Sequence, residues 1–497
     1  MAQKNSKRRR FQQVEIGKIA GTRAVIEAVP EAMSAFGGAP LIAGVEKEVG
    51  LLAQLCERIS DSRKQARVRH EAPDILLQRG IQIALGYPDG NDADWCRNEA
   101  AIKCALDRDP VSGQPGVSQE TLCKFENLAV TKANYEQIRS LFIDHFIRQH
   151  KNRLQKWRSY WSKRQRRKRI VIDIDGTMIK TYGAQEGAIR RGGKYKHEML
   201  YPSMIFIGDW LVAANLRMGC EAESETVIEQ LEMVVPRLRA AWPGVEICVR
   251  LDAAFGSPEL YKWCRKNHVD YAVGLRETSV LKLYAKAYMK AAEQQFLKEH
   301  GEPRFLGEEG KKKAYEEHAR IRQIADKEKR MEEEKEWRQR RTRVVGEFSY
   351  KSESWDNWEH IIVRVDYTDR GLDVRYVMVS QQHGVPKQIY EDEYCQRGLM
   401  EQFIGRFKQT GQRLSSQTFH ANQFHITMYG VAYQLLVHLR ERLGSKFERS
   451  DVETIRKALL VTPISFRRTK NKLVLQVSES HPNCRKYLDA WRRLSSA

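Results

Sequence analysis

The sequence lacks the features that would place it in a membrane, in a disulfide-rich secreted class or among zinc proteins. Its 497 residues contain no apolar run near the roughly 18 residues that a membrane span needs. The nine cysteines are scattered without any C-x-x-C pair, and no His-rich tract accompanies them. We therefore expect reduced thiols, no zinc site, no membrane partner and a cytoplasmic location.

Acidic residues are scarce relative to basic ones. The chain has 64 Asp and Glu against 85 Lys and Arg, which gives a formal net charge of +21. With no membrane signal, this excess indicates nucleic acid as the partner. Ten Lys or Arg lie between Lys151 and Arg169, interleaved with three aromatic residues, which suits binding to double-stranded DNA; a solvated linker helix is the alternative. The residues predicted to bind phosphates here are Arg164, Arg166, Arg167, Lys168 and Arg169.

The chain shows no internal repeat, and its length predicts several domains. Residues 1–150 alternate apolar helices with turns and are predicted to be an all-helical N-terminal region, and 151–168 form a basic linker. An α/β catalytic core begins at 169, and its first part, 169–276, has the order of strands and helices that an RNase H-like fold needs. A mixed α and β insertion follows at 277–385, with a charged helical half and then antiparallel strands. The second core part, 386–497, ends in a basic tail.

Two aspartates end strands that are predicted to be buried. RIVIDIDGT predicts an internal β-branched strand with Asp173 and Asp175 on one face. EICVRLDAAFG predicts a second strand that Asp252 terminates, and a helix with Ser257 as N-cap and another buried strand follow. An acid in that position has to be paired or bound to metal, so the strand, helix and strand are arranged to build a site.

A third acid lies among cations in YCQRGLMEQFIGRFK, which carries Tyr394, Arg397, Glu401 and Lys408. In an α-helix their offsets place the four side chains within roughly 60° of one another. This pattern suits metal-dependent phosphodiester chemistry, because the carboxylate can hold a divalent ion while Tyr394, Arg397 and Lys408 bind DNA phosphate. A solvated, salt-bridged helix face is the alternative.

In this order, D-x-D-G-T, R-x-D-A-A-F with Y-A-V-G-L, and Y-x2-R-x3-E-x6-K resemble the D-D-E transposases of bacterial insertion sequences, and among them the family numbered thirteen-eighty. One departure is Tyr182, where that family usually has His. The resemblance implies that Asp175, Asp252 and Glu401 are catalytic and bind two Mg²⁺ ions, for which Mn²⁺ can substitute, with Asp173 as a further candidate ligand. It also implies that residues 1–150 bind element-end DNA and contribute to dimer contacts. The resemblance further implies a homodimer on DNA that cuts element ends and joins the 3′-OH ends to target DNA by cut and paste.

Two other functions compete with this interpretation. VIDIDGT also resembles the nucleophile loop of haloacid-dehalogenase-like phosphatases, with Asp173 as nucleophile and Asp175 as acid and base. Only about 33 residues separate that loop from the next candidate acid in IGDW, too few for the βα units of such a fold. A catalytically inactive DNA-binding protein is the third hypothesis, although all three acids are present.

The predicted β part of the insertion contains two tryptophans in the segment SESWDNW. Trp355 and Trp358 are candidates to stack on a flipped base beside the cleavage point. Ordinary packing against the sheet is an equal alternative for both.

Overall fold

The structure is a computed structural model that describes most of the chain. The described residues are 13–29, 31–61, 63, 66, 68–151, 169–190, 197–218, 223–380, 384–444 and 447–495. Four of the predicted phosphate-binding residues, Arg164, Arg166, Arg167 and Lys168, lie outside these ranges.

The strands are short in the terminal regions and longer in the middle of the chain. They are β1 Gln13–Ile19, β2 Thr22–Glu27, β3 Ala32–Ser34, β4 Arg169–Gly176, β5 Ile179–Thr181, β6 Met199–Leu200, β7 Ser203–Ile207, β8 Trp210–Asn215, β9 Glu246–Leu251, β10 Asp270–Leu275, β11 Arg341–Tyr350, β12 Glu359–Thr368, β13 Gly371–Val379, β14 Arg413–Leu414, β15 Ile464–Arg468 and β16 Leu473–Gln476.

Helices alternate with these strands, and none in the described part of the chain is long and apolar enough to cross a membrane. The α-helices are α1 Gly38–Val49, α2 Leu51–Cys56, α3 Ala72–Leu85, α4 Ala93–Cys96, α5 Ala100–Ala105, α6 Gln119–Ala129, α7 Tyr135–Arg139, α8 Leu141–His150, α9 Glu223–Ala241, α10 Pro258–Lys266, α11 Ser279–His300, α12 Gly307–Gln323, α13 Lys327–Gln339, α14 Pro386–Gln388, α15 Gly398–Lys408, α16 Phe419–Leu443, α17 Val452–Ile455 and α18 Cys484–Ser495. Shorter 3₁₀ and π turns lie at Gly90–Asp92, Ile389–Tyr394, Cys395–Arg397 and Arg456–Leu460.

The chain forms two compact units. The first contains the described residues within Met1–Leu52, Arg63–Cys123 and His438–Ala497, and the second those within Ala53–Ser62 and Lys124–Val437. The C-terminal residues therefore join the N-terminal ones in one unit, whereas the sequence grouped residues 386–497 with the core. All three acids of the predicted site belong to the second unit.

The N-terminal region is not all-helical, and this corrects the sequence-based expectation. Strands β1 and β2 form an antiparallel hairpin, and β3 pairs with β15 of the same unit. Both strands are rich in β-branched residues, with Val and Ile in QVEIGKI and Thr, Val and Ile in TRAVIE, and such residues favour strands. Ala20 and Gly21 both have positive φ, 49° and 80°, as a two-residue turn between twisted strands requires.

The second unit is built on a mixed eight-stranded sheet in the order β11-β12-β13-β10-β9-β4-β7-β8. At its centre β4, β9 and β10 run parallel, so the carboxyl ends of these strands meet at one edge. Strand β4 is buried on both faces, since Ile172 on one face is 0% exposed and Asp173 on the other is 1% exposed.

Between β10 and α14, the described residues form three helices and three strands. Helices α11, α12 and α13 come first, and β11, β12 and β13 then form an antiparallel meander. Strand β13 pairs with β10, with Ala272 opposite Val379. The β half of this segment therefore extends the central sheet instead of forming a separate layer.

The segment that carries Glu401 is helical but not one regular α-helix. A π turn covers Ile389–Tyr394, a 3₁₀ turn covers Cys395–Arg397, and α15 begins only at Gly398. The sequence analysis expected one common face because it assumed a constant rotation of 100° per residue. The rotation per residue differs among π, 3₁₀ and α turns, so Tyr394, Arg397, Glu401 and Lys408 do not share a face in that way. Tyr394 and Arg397 therefore reach the site from turns before the helix, and only Glu401 and Lys408 lie on α15.

Candidate active site

Two aspartates from neighbouring parallel strands lie at the same edge of the central sheet. Asp175 is the penultimate residue of β4, and Asp252 follows the last residue of β9. The register pairs Ile172 with Val249, so the two strands end nearly level. Parallel pairing thus brings together two acids that are distant in sequence.

Arg397 joins these two carboxylates. Its Nη2 lies 2.8 Å from Oδ2 of Asp175 and 3.6 Å from Oδ2 of Asp252. The Arg397 side chain is only 14% exposed, and its buried Nε has no hydrogen-bond partner among the described residues. The guanidinium is thus held by the two acids on one side and is unsatisfied at Nε.

Asp175 is the most strongly perturbed acid of this group. Burial raises its pKa to about 6; the Arg397 charge and the hydrogen bond from the Gly176 N–H lower it, while the charges of Asp252 and Glu401 raise it further. The Gly176 N–H donates to Oδ1 at 2.8 Å. Burial is therefore the main reason that the Asp175 carboxyl group holds its proton more tightly than an exposed one.

Glu401 and Lys408 come from helix α15. Glu401 is exposed in the first turn, and its charge acts on Asp175, which places it in the same electrostatic site. Lys408 lies in the last turn and is partly buried, and burial lowers the pKa of its ammonium group. Among the described residues no carboxylate forms an ion pair with Lys408, so it is available to an anion from outside the chain.

The donor chemistry of this site fits a hard divalent cation. Asp175, Asp252 and Glu401 offer carboxylate oxygens, the ligands that Mg²⁺ and Mn²⁺ prefer. Within the described residues, however, no three acidic, His or Cys side chains lie close enough together to hold a metal ion. The position between Asp175 and Asp252 is taken by the Arg397 guanidinium, a cation of the protein itself.

The sequence matches the family described as "Transposase DDE domain group 1" over residues 19–497. The chain belongs to this family of transposases. No curated protein matches the sequence.

Two solved transposases are distantly similar in structure. One is the piggyBac transposase in a synaptic complex with hairpin DNA, at 10% identity and a TM-score of 0.38, covering 85% of this chain and 78% of that chain. The other is the Mos1 transposase in a paired-end complex with the left transposon end, at 9% identity and a TM-score of 0.17, covering 48% of this chain and 68% of that chain. Both likenesses are too low to carry an argument about this transposase.

Beneath the strand-end acids of the transposase lies a buried ion pair. Arg250 donates from Nε and Nη2 to the two oxygens of Asp173 at 2.7 and 2.6 Å, and both side chains are 1% exposed. Burial raises the pKa of Asp173 and the Arg250 guanidinium opposes that shift. Both oxygens of Asp173 are engaged, so we expect this residue, a candidate metal ligand from sequence, to position the site instead of binding an ion.

Arg250 also forms a hydrogen bond to the turn that precedes the Glu401 helix. The sequence analysis did not identify Arg250 as a residue of the site. Its Nη1 donates to the backbone oxygen of Glu393 at 2.5 Å. A cation inside the apolar run ICVRL was the available signal, because a charge in a buried strand needs a partner. That partner, Asp173, is 77 residues away, and local periodicity carries no information about it.

Arg169, which the sequence predicts to bind phosphate, pairs with acidic residues of the protein itself. Its side chain is 10% exposed and pairs with Glu393 at 3.0 Å and with Asp270 at 3.5 Å. Arg169 is the first residue of β4, and its guanidinium is paired with two carboxylates of the protein itself. Phosphate binding by Arg169 stays a prediction, and it would require these ion pairs to open.

Tyr394 packs against the strand next to Asp252. A Cβ at Gly274 of β10 would lie 2.5 Å from the Tyr394 hydroxyl, so only glycine fits there. Burial raises the pKa of the tyrosine, which keeps the hydroxyl protonated and able to donate. Tyr394 thus presents a neutral donor near the strand-end acids.

The two tryptophans differ in their surroundings. Trp355 is partly buried and meets Tyr261 and Tyr350 edge-on, with ring centroids 5.9 and 5.4 Å apart. Trp358 is 65% exposed. Packing therefore accounts for Trp355, whereas Trp358 presents its ring to solvent.

Proposed function

We propose that this transposase acts by cut and paste at the ends of an insertion sequence, with Asp175, Asp252 and Glu401 as its catalytic acids in an RNase H-like core. The observation that carries the proposal is the meeting of Asp175 and Asp252 at the ends of parallel strands, with Arg397 and the Glu401 helix beside them. The motif spacing resembles that of the insertion-sequence family numbered thirteen-eighty, and membership in the transposase family agrees with this.

The three acids would hold two Mg²⁺ ions, or Mn²⁺, which supply an activated water and stabilise the leaving 3′ oxygen when bound. The chain's own cations act on the DNA. Lys408 lies in the last turn of α15 with no ion pair among the described residues, so a phosphate oxygen can bind its ammonium group. Arg397 can bind phosphate once it leaves the carboxylates, and Tyr394 can donate a hydrogen bond.

Double-stranded DNA is the proposed partner because of the charge of the whole chain. The formal net charge is +21, and phosphate contacts release counterions from DNA. If six or more phosphates are bound, affinity for duplex ends should fall with salt at a log–log slope of about −5 or steeper. A nearly flat salt dependence, measured by fluorescence anisotropy, would contradict the proposal of a phosphate-binding surface.

The phosphatase hypothesis loses its nucleophile. Asp173 would have to attack a phosphorus atom, yet it is 1% exposed and both its oxygens accept hydrogen bonds from Arg250. An attacking carboxylate needs a free oxygen within reach of substrate. The hypothesis of an inactive DNA-binding protein is separated from the transposase by the assay below.

The deciding experiment is nicking of a labelled element end in Mg²⁺ by the wild type and by Glu401→Ala. We expect Glu401→Ala to bind the end and to lose cleavage, because a metal ligand is removed while the basic surface stays intact. Gln402→Ala is the matched control, since Gln402 is the exposed neighbour on the same helix. Normal cleavage by Glu401→Ala would refute the catalytic assignment, and a wild type that binds ends without cutting them would favour the inactive protein.

A further inference from the structure

A small sheet continues from two of the elements that carry the candidate active site. Strand β5 begins three residues after Gly176 of β4, and β14 begins five residues after Lys408 of α15. The two strands pair in parallel, with Arg413 opposite Lys180. Since five residues of chain span at most about 18 Å, Lys180 lies within that distance of Asp175, and Arg413 lies equally close to Lys408. The small sheet therefore adjoins the site.

One face of this sheet is basic and open to solvent. Lys180, Tyr182 and Arg413 are exposed, whereas Thr181 and Leu414 are buried. Side chains alternate between the two faces of a strand and paired residues share a face, so the three exposed side chains lie on the same side. Among the described residues neither Lys180 nor Arg413 forms an ion pair with a carboxylate. Two cations without acidic partners therefore face solvent beside the site.

Tyr182 positions one of these cations. The Cζ atom of Arg413 lies 5.3 Å from the centre of the Tyr182 ring, within the range of a cation–π contact. Tyr182 is itself 53% exposed, so it contacts the Arg413 guanidinium without removing it from solvent. A stacked guanidinium keeps its N–H groups available, and their fork matches the oxygens of a phosphate.

Buried hydrogen bonds fix the backbone beneath this face. The Gln185 side-chain Nε2 donates to the backbone oxygen of Tyr182 at 2.9 Å and to that of Leu414 at 2.6 Å. The Gln185 Oε1 accepts from Nδ2 of Asn422 at 3.0 Å, and Asn422 is 0% exposed. One buried amide thus ties the end of β5 to β14 and to helix α16. A preorganised support of this kind lowers the entropy that is lost when a ligand binds.

We propose that Lys180, Tyr182 and Arg413 form a platform that binds the backbone of the element-end DNA beside the phosphate that is cut. This assignment rests on the proposed cleavage of element ends. Phosphates of one DNA strand follow each other every ~3.4 Å along the helix axis, so a platform within about 18 Å of Asp175 can reach roughly five nucleotides from the cleavage point. The end has to be held for cutting and for joining, and a surface that adjoins the catalytic acids meets it first.

The platform also gives a function to Tyr182, where the resembled family usually has His. A tyrosine ring carries no charge at neutral pH, and its electron-rich face attracts a guanidinium. A histidine at the same place would repel Arg413 whenever its ring is protonated. Tyr182 is therefore the better support for a phosphate-binding arginine.

The first test measures the affinity of the full chain for a labelled element end by fluorescence anisotropy, without divalent metal, over a range of salt. Lys180→Gln and Arg413→Gln should each make the log–log salt slope shallower by about 0.9 and weaken binding roughly eightfold at 0.1 M salt, because one phosphate contact is lost. Lys282→Gln is the matched control. Lys282 is also exposed in the second unit, but it pairs with Glu277 at 2.7 Å, so slope and affinity should stay unchanged.

The second test separates the ring of Tyr182 from its hydroxyl. Tyr182→Phe keeps a ring under Arg413 and should bind the end like the wild type. Tyr182→Ala should weaken binding about two- to fivefold, the size of an exposed cation–π contact, and should lose this effect when Arg413 is already glutamine. An equal loss in Tyr182→Phe and Tyr182→Ala would overturn the positioning role.

The third test locates the contact on the DNA. Neutral methylphosphonates are placed singly at phosphates within about five nucleotides of the cleavage point. At least one should weaken binding by the wild type and have no effect on Arg413→Gln. If this coupling appears only with phosphates of a target duplex captured by a precut end, the platform binds target DNA and the assignment to the end is wrong.

Failure of the platform is distinguishable from failure of the proposed function. A wild type that binds ends with a steep salt dependence, while Lys180→Gln and Arg413→Gln keep its slope, would overturn the platform and leave the proposed transposase activity intact. A wild type that binds ends without salt dependence would contradict both.

Discussion

Replacing Asp175 with asparagine should stabilise the protein at neutral pH. Asp175 has a pKa of about 6 in the folded chain, raised from 3.8 chiefly by burial, and its side chain is 18% exposed. A folded pKa that is raised means that the folded state binds the proton more tightly than the unfolded state. The protonated Asp175 carboxyl group contributes its full stabilisation below about pH 4, and this contribution is lost as the pH rises through 6. At pH 7.5 the ionised Asp175 carboxylate therefore destabilises the folded state, and asparagine, which carries no charge, removes this effect.

The size of the effect follows from the shift. About two pKa units at 1.36 kcal/mol each give roughly 3 kcal/mol in the free energy of unfolding at pH 7.5, and almost nothing near pH 4. Arg397 keeps a partner in the variant, because Asp252 lies 3.6 Å from it. We expect the free energy of unfolding of the variant to equal that of the wild type near pH 4 and to exceed it increasingly between pH 4 and 7.

The assay is urea denaturation of both proteins, followed by tryptophan fluorescence across this pH range without divalent metal. Asp252→Asn is the matched control, because that side chain is 42% exposed and its desolvation is correspondingly smaller, so the gain should be smaller. An Asp175→Asn variant that is equal to or less stable than the wild type at pH 7.5 would refute the claim that burial of the ionised Asp175 carboxylate destabilises the folded protein.

Three further predictions follow from the same contacts. Arg250→Met should destabilise the protein by about 3–5 kcal/mol in urea denaturation by stranding buried Asp173, and Asp173→Leu in the same chain should recover much of that loss. Trp355→Ala should lower the melting temperature, whereas Trp358→Ala should leave it unchanged and reduce end cleavage, as a nicking assay can show. Excess Mg²⁺ should raise the melting temperature more at pH 7.5 than at pH 5, since protons compete for Asp175; equal shifts would contradict metal binding there.

Local sequence patterns predict the strand ends of the site but not what surrounds them. The β-branched runs before Asp175 and Asp252 mark buried strands, and the helix between β9 and β10 starts at the predicted cap, where the Ser257 hydroxyl accepts from the Leu260 N–H. The parallel pairing of these two strands is seen only in the structure. The strand ends and the helix cap depend on a few consecutive residues, which is why periodicity is sufficient.

The features that the sequence did not predict depend on contacts between residues far apart in the chain or on changes in helical pitch. The Asp173–Arg250 pair joins two strands far apart in sequence, and the inward turn of Arg169 depends on Glu393, 224 residues away. The common face expected for Tyr394 and Lys408 failed because a π turn and a 3₁₀ turn precede α15. The β1–β2 hairpin was missed because the prediction for residues 1–150 rested on helical segments farther along the chain, such as APLIAGVEKEVGLLAQLCERI.

The site therefore combines fixed and exchangeable parts. Asp173 and Arg250 are fully buried and mutually satisfied, and they tie the strand of Asp175 to the turn that leads to Glu401, so moving either would expose an unpaired charge. Arg397 contacts Asp175 and Asp252 through a single nitrogen, and its buried Nε has no hydrogen-bond partner among the described residues. Fewer hydrogen bonds are therefore broken when the Arg397 side chain moves. A metal ion and Arg397 carry the same sign of charge to the same two carboxylates. We expect them to exclude each other there, which would free Arg397 for DNA phosphate when the acids bind metal.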